Sequence, residues 1–285
     1  MSCDTVCVDG VRWPKRQRID DGCATTHPAY DSRPLAASAF GSARPSDILT
    51  RMTDTFAATL AGLQRGDRAV SDTSRAFLGL LPINGATVAT VGDVMGNETL
   101  SATNEVARKL DEHQFDLREG PCWDAVSLVS PVLETDFARN APERWPSLYS
   151  ALQDVQIGSI FAFPMTVGTL RVGAVDLYAQ VARGLDPQQQ RQASAMADAI
   201  ARRILRDALA ADPDQSAADT PFSRRVVHQA TGFVLAQLGV TPDDATLLIQ
   251  AHAFTSGQTM IEVSENILSG SIAFARVGDR IEVRS

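Results

Sequence analysis

Two apolar stretches in the second half of the chain constrain the fold more than any other feature. "GSIFAFPMTV" (158–167) and "RVGAVDLYAQV" (171–181) are strand-length, and the "GT" between them leaves room only for a tight turn, so they pair as an antiparallel hairpin. Alternation along the first strand places Phe161, Phe163 and Met165 on one face. Another strand is expected from Ala86 to Val91, and a short amphipathic helix from Ser101 to Leu110. Longer helices bracket this region. Ile48, Leu49, Met52, Phe56, Leu60 and Leu63 form one apolar stripe behind a candidate N-cap at Ser46. In "DPQQQ", Asp186 is an N-cap, Pro187 takes the first helical position and Gln189 the capping-box position, opening a helix to about Ala210. Its stripe of Ala193, Met196, Ala197, Ile200, Ile204 and Leu205 is small enough to pack closely on another helix, within the domain or across a dimer. An antiparallel sheet flanked by helices is an α+β architecture.

The chain has 285 residues, 44% of them hydrophobic, enough for one medium domain and a small one. A formal net charge of -8 and a pI near 5.0 argue against general affinity for polyanions, which requires clustered Lys and Arg. No apolar run approaches the roughly 20 residues that span a bilayer, and the N-terminus has no apolar core of a secretion signal. A cytoplasmic protein that does not enter membranes is expected. Residues 1–45 lack periodicity and read as a disordered leader. Within it Cys3, Cys7, Cys23 and His27 could in principle supply four zinc ligands. The C-x3-C spacing is looser than usual and little apolar sequence surrounds it, so no metal is expected. "ADPDQSAADTPF" is polar, acidic and Pro-bearing, marking a linker at 211–221.

Between the bracketing helices, "LREGPCWDAV" (117–126), "VLETDF" (132–137), "RWPSL" (144–148), "GSIFAFPM" (158–165) and "VGAVDLY" (172–178) occur in the order and spacing of GAF domains of the actinobacterial signalling type. By that resemblance residues 46–210 form a sensor domain: a central antiparallel sheet with a pocket covered on one face by loops and short helices. Cys122, Trp123, Phe161, Phe163 and Met165 are the candidate pocket residues, and core packing explains the last three equally well. No cofactor or ligand is named by the sequence. Cys122 would be a redox thiol if Arg118 and a helix starting near Asp124 lowered its pKa; a buried, inert cysteine is the competing reading. His113, beside Asp111 and Glu112 on what reads as an exposed helix end, is expected to be solvated and not a haem ligand. Glu119, Asp124, Glu134 and Asp136 are not paired at any defined distance, and no nucleophile elbow, P-loop or H-E-x-x-H occurs. An enzyme is therefore not expected.

In the C-terminal part, Val227, Ala230, Val234 and Leu238 mark one face of a helix that Gly239 ends. Thr241, Pro242, Asp243 and Asp244 cap a second, with Ala245, Leu248, Ile249 and His252 on its stripe. Met260, Val263 and Ile267 mark a third. Arg225, Val227, Gln229-Ala230, Gly232, Leu235, Asp244-Ala245, Leu248, His252-Ala253, Met260, Val263 and Ile267 match the ANTAR pattern, so residues 222–274 resemble that three-helix RNA-binding module of bacterial antiterminators. The resemblance implies paired modules gripping tandem RNA hairpins, hence a homodimer with RNA as partner. Arg224, Arg225, Gln229, Thr231 and His252 are the candidate RNA contacts. Thr231 stands where the family usually has lysine, and His252 where an aromatic is common. Only Arg224 and Arg225 oppose Asp243, Asp244, Glu262 and Glu265 across the module, so weak RNA binding is expected. The tail over 275–285 suggests a hairpin turning at Gly278-Asp279.

The combined expectation is a GAF-like sensor, answering a small-molecule or protein signal, coupled to an ANTAR-type output in transcription antitermination. The alternative is a protein-interaction regulator whose output module no longer binds RNA strongly.

Overall fold

The computed structural model describes residues 45–92, 96–210, 224–278 and 280–284, with side chains from Thr53 onward in the first helix. The expected leader up to residue 44, with Cys3, Cys7, Cys23 and His27, and the linker over 211–221 lie outside the described residues, as do the side chains of Ser46, Ile48, Leu49 and Met52.

The first helix, α1 (Pro45–Arg65), is followed by a 3-10 turn (Val70–Asp72), α2 (Arg75–Leu78) and strands β1 (Gly85–Thr90) and β2 (Glu98–Ala102). Next come α3 (Glu105–Leu117), α4 (Pro121–Leu128), β3 (Val132–Glu134), α5 (Phe137–Arg144) and α6 (Pro146–Ala151). The expected hairpin is β4 (Ser159–Val167) and β5 (Leu170–Ala179), and α7 (Pro187–Ala210) closes this part. All five strands pair antiparallel in the order β2-β1-β5-β4-β3.

The helix expected over Ser101–Leu110 is corrected by the structure. Ser101 and Ala102 end β2, an edge strand whose Ser101 hydroxyl donates to the Ser71 carbonyl at 2.6 Å. Asn104 then caps α3, its side chain accepting from the Ala107 amide, and the helix continues to Leu117.

One face of the sheet, with Val88, Phe161, Phe163, Met165, Val175 and Leu177, packs on α1, α2 and the small-residue stripe of α7. The reciprocal Asp186–Gln189 capping box starts α7 as its sequence dictates. The other face presents Thr87, Ala89, Ala162, Ala174, Asp176 and Tyr178 toward α3 and α4.

The C-terminal part is a three-helix module: α8 (Arg225–Leu238), α9 (Pro242–Ser256) and α10 (Met260–Leu268). Gly239 ends α8 in the left-handed conformation, and Thr241 caps α9. A Thr259–Glu262 capping box opens α10. Val227, Ala230, Val234, Ala245, Ile249, Met260, Val263 and Ile267 form its core. A hairpin of β6 (Ala273–Val277) and β7 (Arg280–Arg284) follows, with Ile272 and Phe274 buried in that core.

Gly173 is where β5 passes closest to β1. A Cβ there would lie 2.0 Å from the Ala89 carbonyl oxygen and 2.7 Å from the Thr90 Cα, both backbone atoms that cannot swing away. Gly173→Ala should therefore destabilise the protein by about 1–3 kcal/mol, as overpacking does. Thermal denaturation should show a melting temperature lower by roughly 3–10 °C; an unchanged midpoint would mean that the two strands can part without cost.

Candidate functional site

Polar residues interrupt the apolar stripe of α3 at Asp111 and Gln114, and both side chains are buried. Gln114 points to the sheet: its Nε2 donates to Asp176 Oδ2 at 2.9 Å, and its Oε1 accepts the Cys122 amide at 2.8 Å. The Trp123 indole nitrogen donates to the Gln114 carbonyl at 2.6 Å. The Glu-Gly-Pro-Cys turn can reach this position because residue 120 is glycine. Its φ of 136° disfavours L side chains, and a Cβ would stand 2.6 Å from Gln114 Oε1. Burial, then the nearby Asp111 charge, pushes the Asp176 carboxyl up to about 7.

The Cys122 thiol is fully buried, and burial followed by the Asp176 and Asp111 charges raises it well above the ordinary thiol range. Helix α4 begins at Pro121 and not near Asp124, so Cys122 does sit in a helical first turn. Desolvation outweighs that dipole, while Arg118 is exposed. The geometry therefore supports the buried-cysteine reading over the redox thiol.

The expected pocket set does not hold together. Cys122 and Trp123 lie on the α3–α4 side of the sheet, whereas Phe161, Phe163 and Met165 are on the opposite face, fully buried against the α7 side. Their shared face is as the alternation requires, but it belongs to the core. Trp123 is half-buried, edge-on to Phe115 with ring centroids 5.5 Å apart.

The motif carboxylates serve as local fasteners. Glu119 accepts the Ser147 and Leu148 amides at the start of α6, Asp136 caps α5, and buried Glu134 holds the Asp136 amide and Asn140. His113 is half-buried, and burial lowers its pKa first, with Lys109 and Arg108 adding to the effect. The expectation of a solvated residue on an exposed helix end is corrected, because α3 runs a full turn further.

Helix α3 also contacts the three-helix module. The Arg224 guanidinium lies 3.9 Å from the Phe115 ring centroid, with Nη2 at 3.5 Å from Asp111 Oδ2 and Nη1 at 3.6 Å from Asp116 Oδ1. The Thr99 hydroxyl also donates to Asp111. The Arg224 amide donates to Glu98 at 2.6 Å, the Met260 amide to Asp116 at 3.0 Å, and Gln250 Nε2 to the Asp116 carbonyl at 2.6 Å. Burial raises both aspartates; the Arg224 charge opposes it at Asp111, and the Met260 N–H and Arg224 oppose it at Asp116. His228 lies 3.5 Å from Glu98, whose hydrogen bond and charge raise the imidazole.

The candidate RNA contacts are thus dispersed. Arg224, expected at the RNA surface, is 5% exposed and turned into the junction. Turned inward between Asp111 and Asp116, it is withheld from an RNA backbone in this arrangement. Thr231 is half-buried, donates to the Val227 carbonyl at 2.8 Å and also faces the junction. Arg225 and Gln229 lie on the exposed face of α8. The His252 ring packs edge-on to Phe274, with centroids 6.1 Å apart.

Two cavities open along this junction. One of about 320 Å³ lies between α3, α6 and the α9–α10 turn, and includes His113, Leu117, Ser150, Phe254 and Gln258. The other, about 130 Å³, lies between the α3–α4 turn and α8–α9. Among the described residues no group of three or more His, Cys, Asp or Glu side chains is arranged to hold a metal ion.

These features define a two-part α+β protein whose parts share one buried junction. Its family is shown by sequence: a GAF domain model (GAF_2) matches residues 68–204 and an ANTAR domain model matches 218–268. The chain carries a GAF domain followed by an ANTAR domain, and so combines a signal-sensing part with an RNA-binding type of output. No curated protein matches it in sequence. Among solved structures it is similar to the GAF domain of an Acinetobacter phosphoenolpyruvate-protein phosphotransferase, at 9% identity over 57% of this chain and 98% of that one, TM-score 0.46. It is also similar to a free methionine-R-sulfoxide reductase from Neisseria meningitidis in complex with its substrate, at 10% identity over 58% and 95%, TM-score 0.44. A third similarity is to the chromophore-binding domain of a bacteriophytochrome from R. palustris, at 7% identity over 57% and 64%, TM-score 0.40.

The Asp176 environment has a stability signature. With a folded pKa near 7, against an unfolded value of about 3.9, the folded protein holds a proton that the unfolded chain has lost across that window. This contribution is complete below about pH 4 and disappears as pH rises through 7. Asp176→Asn imitates the protonated carboxyl. Urea unfolding at pH 5 and pH 8 should show the wild type losing about 3 kcal/mol more than the variant over that interval; equal losses would mean that Asp176 is already ionised at pH 5.

Proposed function

We propose that this protein is a cytoplasmic, homodimeric regulator of transcription antitermination, in which the state of the GAF domain sets how the ANTAR module is presented to RNA. The observation that carries this reading is the double attachment of α3. Gln114 ties the helix to Asp176 and Cys122 inside the sensor, and Asp111 and Asp116 tie it to Arg224, Gln250 and Met260 of the output. A signal that shifts α3 therefore acts on both parts. Two modules on one dimer would engage tandem hairpins with an avidity neither has alone. Among the described residues no helix is long and apolar enough to cross a membrane, which fits a cytoplasmic role. A regulator is favoured over an enzyme because Cys122 is buried and the motif carboxylates serve as caps.

RNA binding in this reading is weak and local, with Arg225 and Gln229 exposed on α8 and Arg224 held by the sensor. A second reading, a protein-interaction output, draws support from exposed Phe233, Leu247 and Phe254 on a poorly basic module. Gel shifts with a tandem-hairpin transcript across a salt series separate the two. The antiterminator reading expects binding at low salt, a loss of roughly fivefold in Arg225→Ala, and a salt-dependence slope lower by about one. Absence of any shift at low salt, with the folded protein confirmed, would leave the protein-interaction reading in its place.

A further inference from the structure

The smaller junction cavity has a chemistry that neither domain's identity assigns. Its wall includes Arg118 and Trp123 from the sensor, and Arg224, His228, Thr231 and Gln250 from the output. No carboxylate lines it. Arg118 is exposed and has no ion-pair partner among the described residues. The Arg224 side chain is 6% exposed, and its Nε and Nη2 atoms donate no hydrogen bond; Asp111 Oδ2 stands 3.5 Å from Nη2, and Asp116 Oδ1 stands 3.6 Å from Nη1. A buried guanidinium with idle donors is costly, and an acceptor that reached them would be strongly held. Asp111, Asp116 and Glu98 lie off the cavity wall, where they orient Arg224 and His228 without occupying the space.

We propose that this cavity binds a small anion, a carboxylate or phosphate group on a compact body, held by Arg118 and His228 at the rim and Arg224 at the base. Size sets the upper limit: about 130 Å³ is close to the roughly 150 Å³ that accommodates a benzene ring. The Trp123 ring supplies a flat apolar side for the body of such a ligand, and Thr231 and Gln250 supply further polar groups. A nucleic-acid strand does not fit a space of about 130 Å³ between two domains, so the ligand is a free small molecule. Because the walls come from both parts, occupancy bears directly on how the output is docked. That consequence rests on the regulator reading; the site itself does not.

Calorimetry on the full chain tests the site directly, with sodium benzoate and inorganic phosphate as probes, benzamide as the uncharged control and ionic strength held constant. One equivalent of at least one anion should bind with a Kd of roughly millimolar or tighter, and benzamide should not bind. Arg118→Ala and His228→Ala, both at the rim and safe for folding, should each weaken binding by about fivefold or more. Arg171→Ala, removing an exposed cation on β5, should leave it unchanged. Failure of both anions to bind saturably, or binding that survives both rim substitutions, overturns the proposal. RNA is absent from this experiment, so its failure is separate from that of the hairpin assay.

Discussion

The placement of Arg224 between Asp111 and Asp116 is the interaction on which the arrangement of the two domains depends. Two carboxylates on one helix are taken out of water at the same junction, and one guanidinium from the other domain answers both. Such a pairing adds little net stability compared with a well-packed apolar contact, but removing one member leaves a buried charge uncompensated, at about 3–5 kcal/mol. Its effect is selective. Other ways of docking the module would strand these charges, so the triad specifies where the module sits more than how firmly the chain folds.

The same helix explains how a small domain can be both sensor and platform. Successive turns of α3 point in different directions, and the polar residues it buries face the sheet on one side and the module on the other. Gln114 is the pivot between them, accepting from the Cys122 amide and donating to Asp176 while its own carbonyl holds Trp123. Trp123 in turn walls the junction cavity, so one side chain touches both the interior network and the interdomain space.

Much of this fold was legible where the sequence determines structure locally. The helices of the ANTAR module follow from Gly239, Thr241 and Pro242, whose capping chemistry needs no distant partner, and the β4–β5 hairpin follows from its length and turn. Edge strand β2 was hidden because "ETLSA" is held by pairing with β1 and by serine contacts to a preceding turn. Alternation identified Phe161, Phe163 and Met165 as sharing a face but could not say which helices cover it. The site was less legible still. Polar residues on an apolar stripe, Asp111 and Gln114 above all, were the available signal, yet in isolation they resemble a solvated helix end. Only their partners, Arg224 of the other domain for Asp111 and Asp176 on β5 for Gln114, reveal that they are inside. The motif residues that carried the resemblance, Glu119, Glu134 and Asp136, proved to secure turns and helix starts.

The C-terminal hairpin shows that a sequence family and a folding unit need not end together. The ANTAR match stops at residue 268, but Ile272 and Phe274 are buried with Val227, Ala253 and Ile267, and the Phe274 amide reaches Gln237. A module trimmed to the family boundary would lose two plugs from its hydrophobic interior and bare the His252 ring. Ile272 and the start of β6 thus close the interior of the three helices, and the folded module extends past its signature.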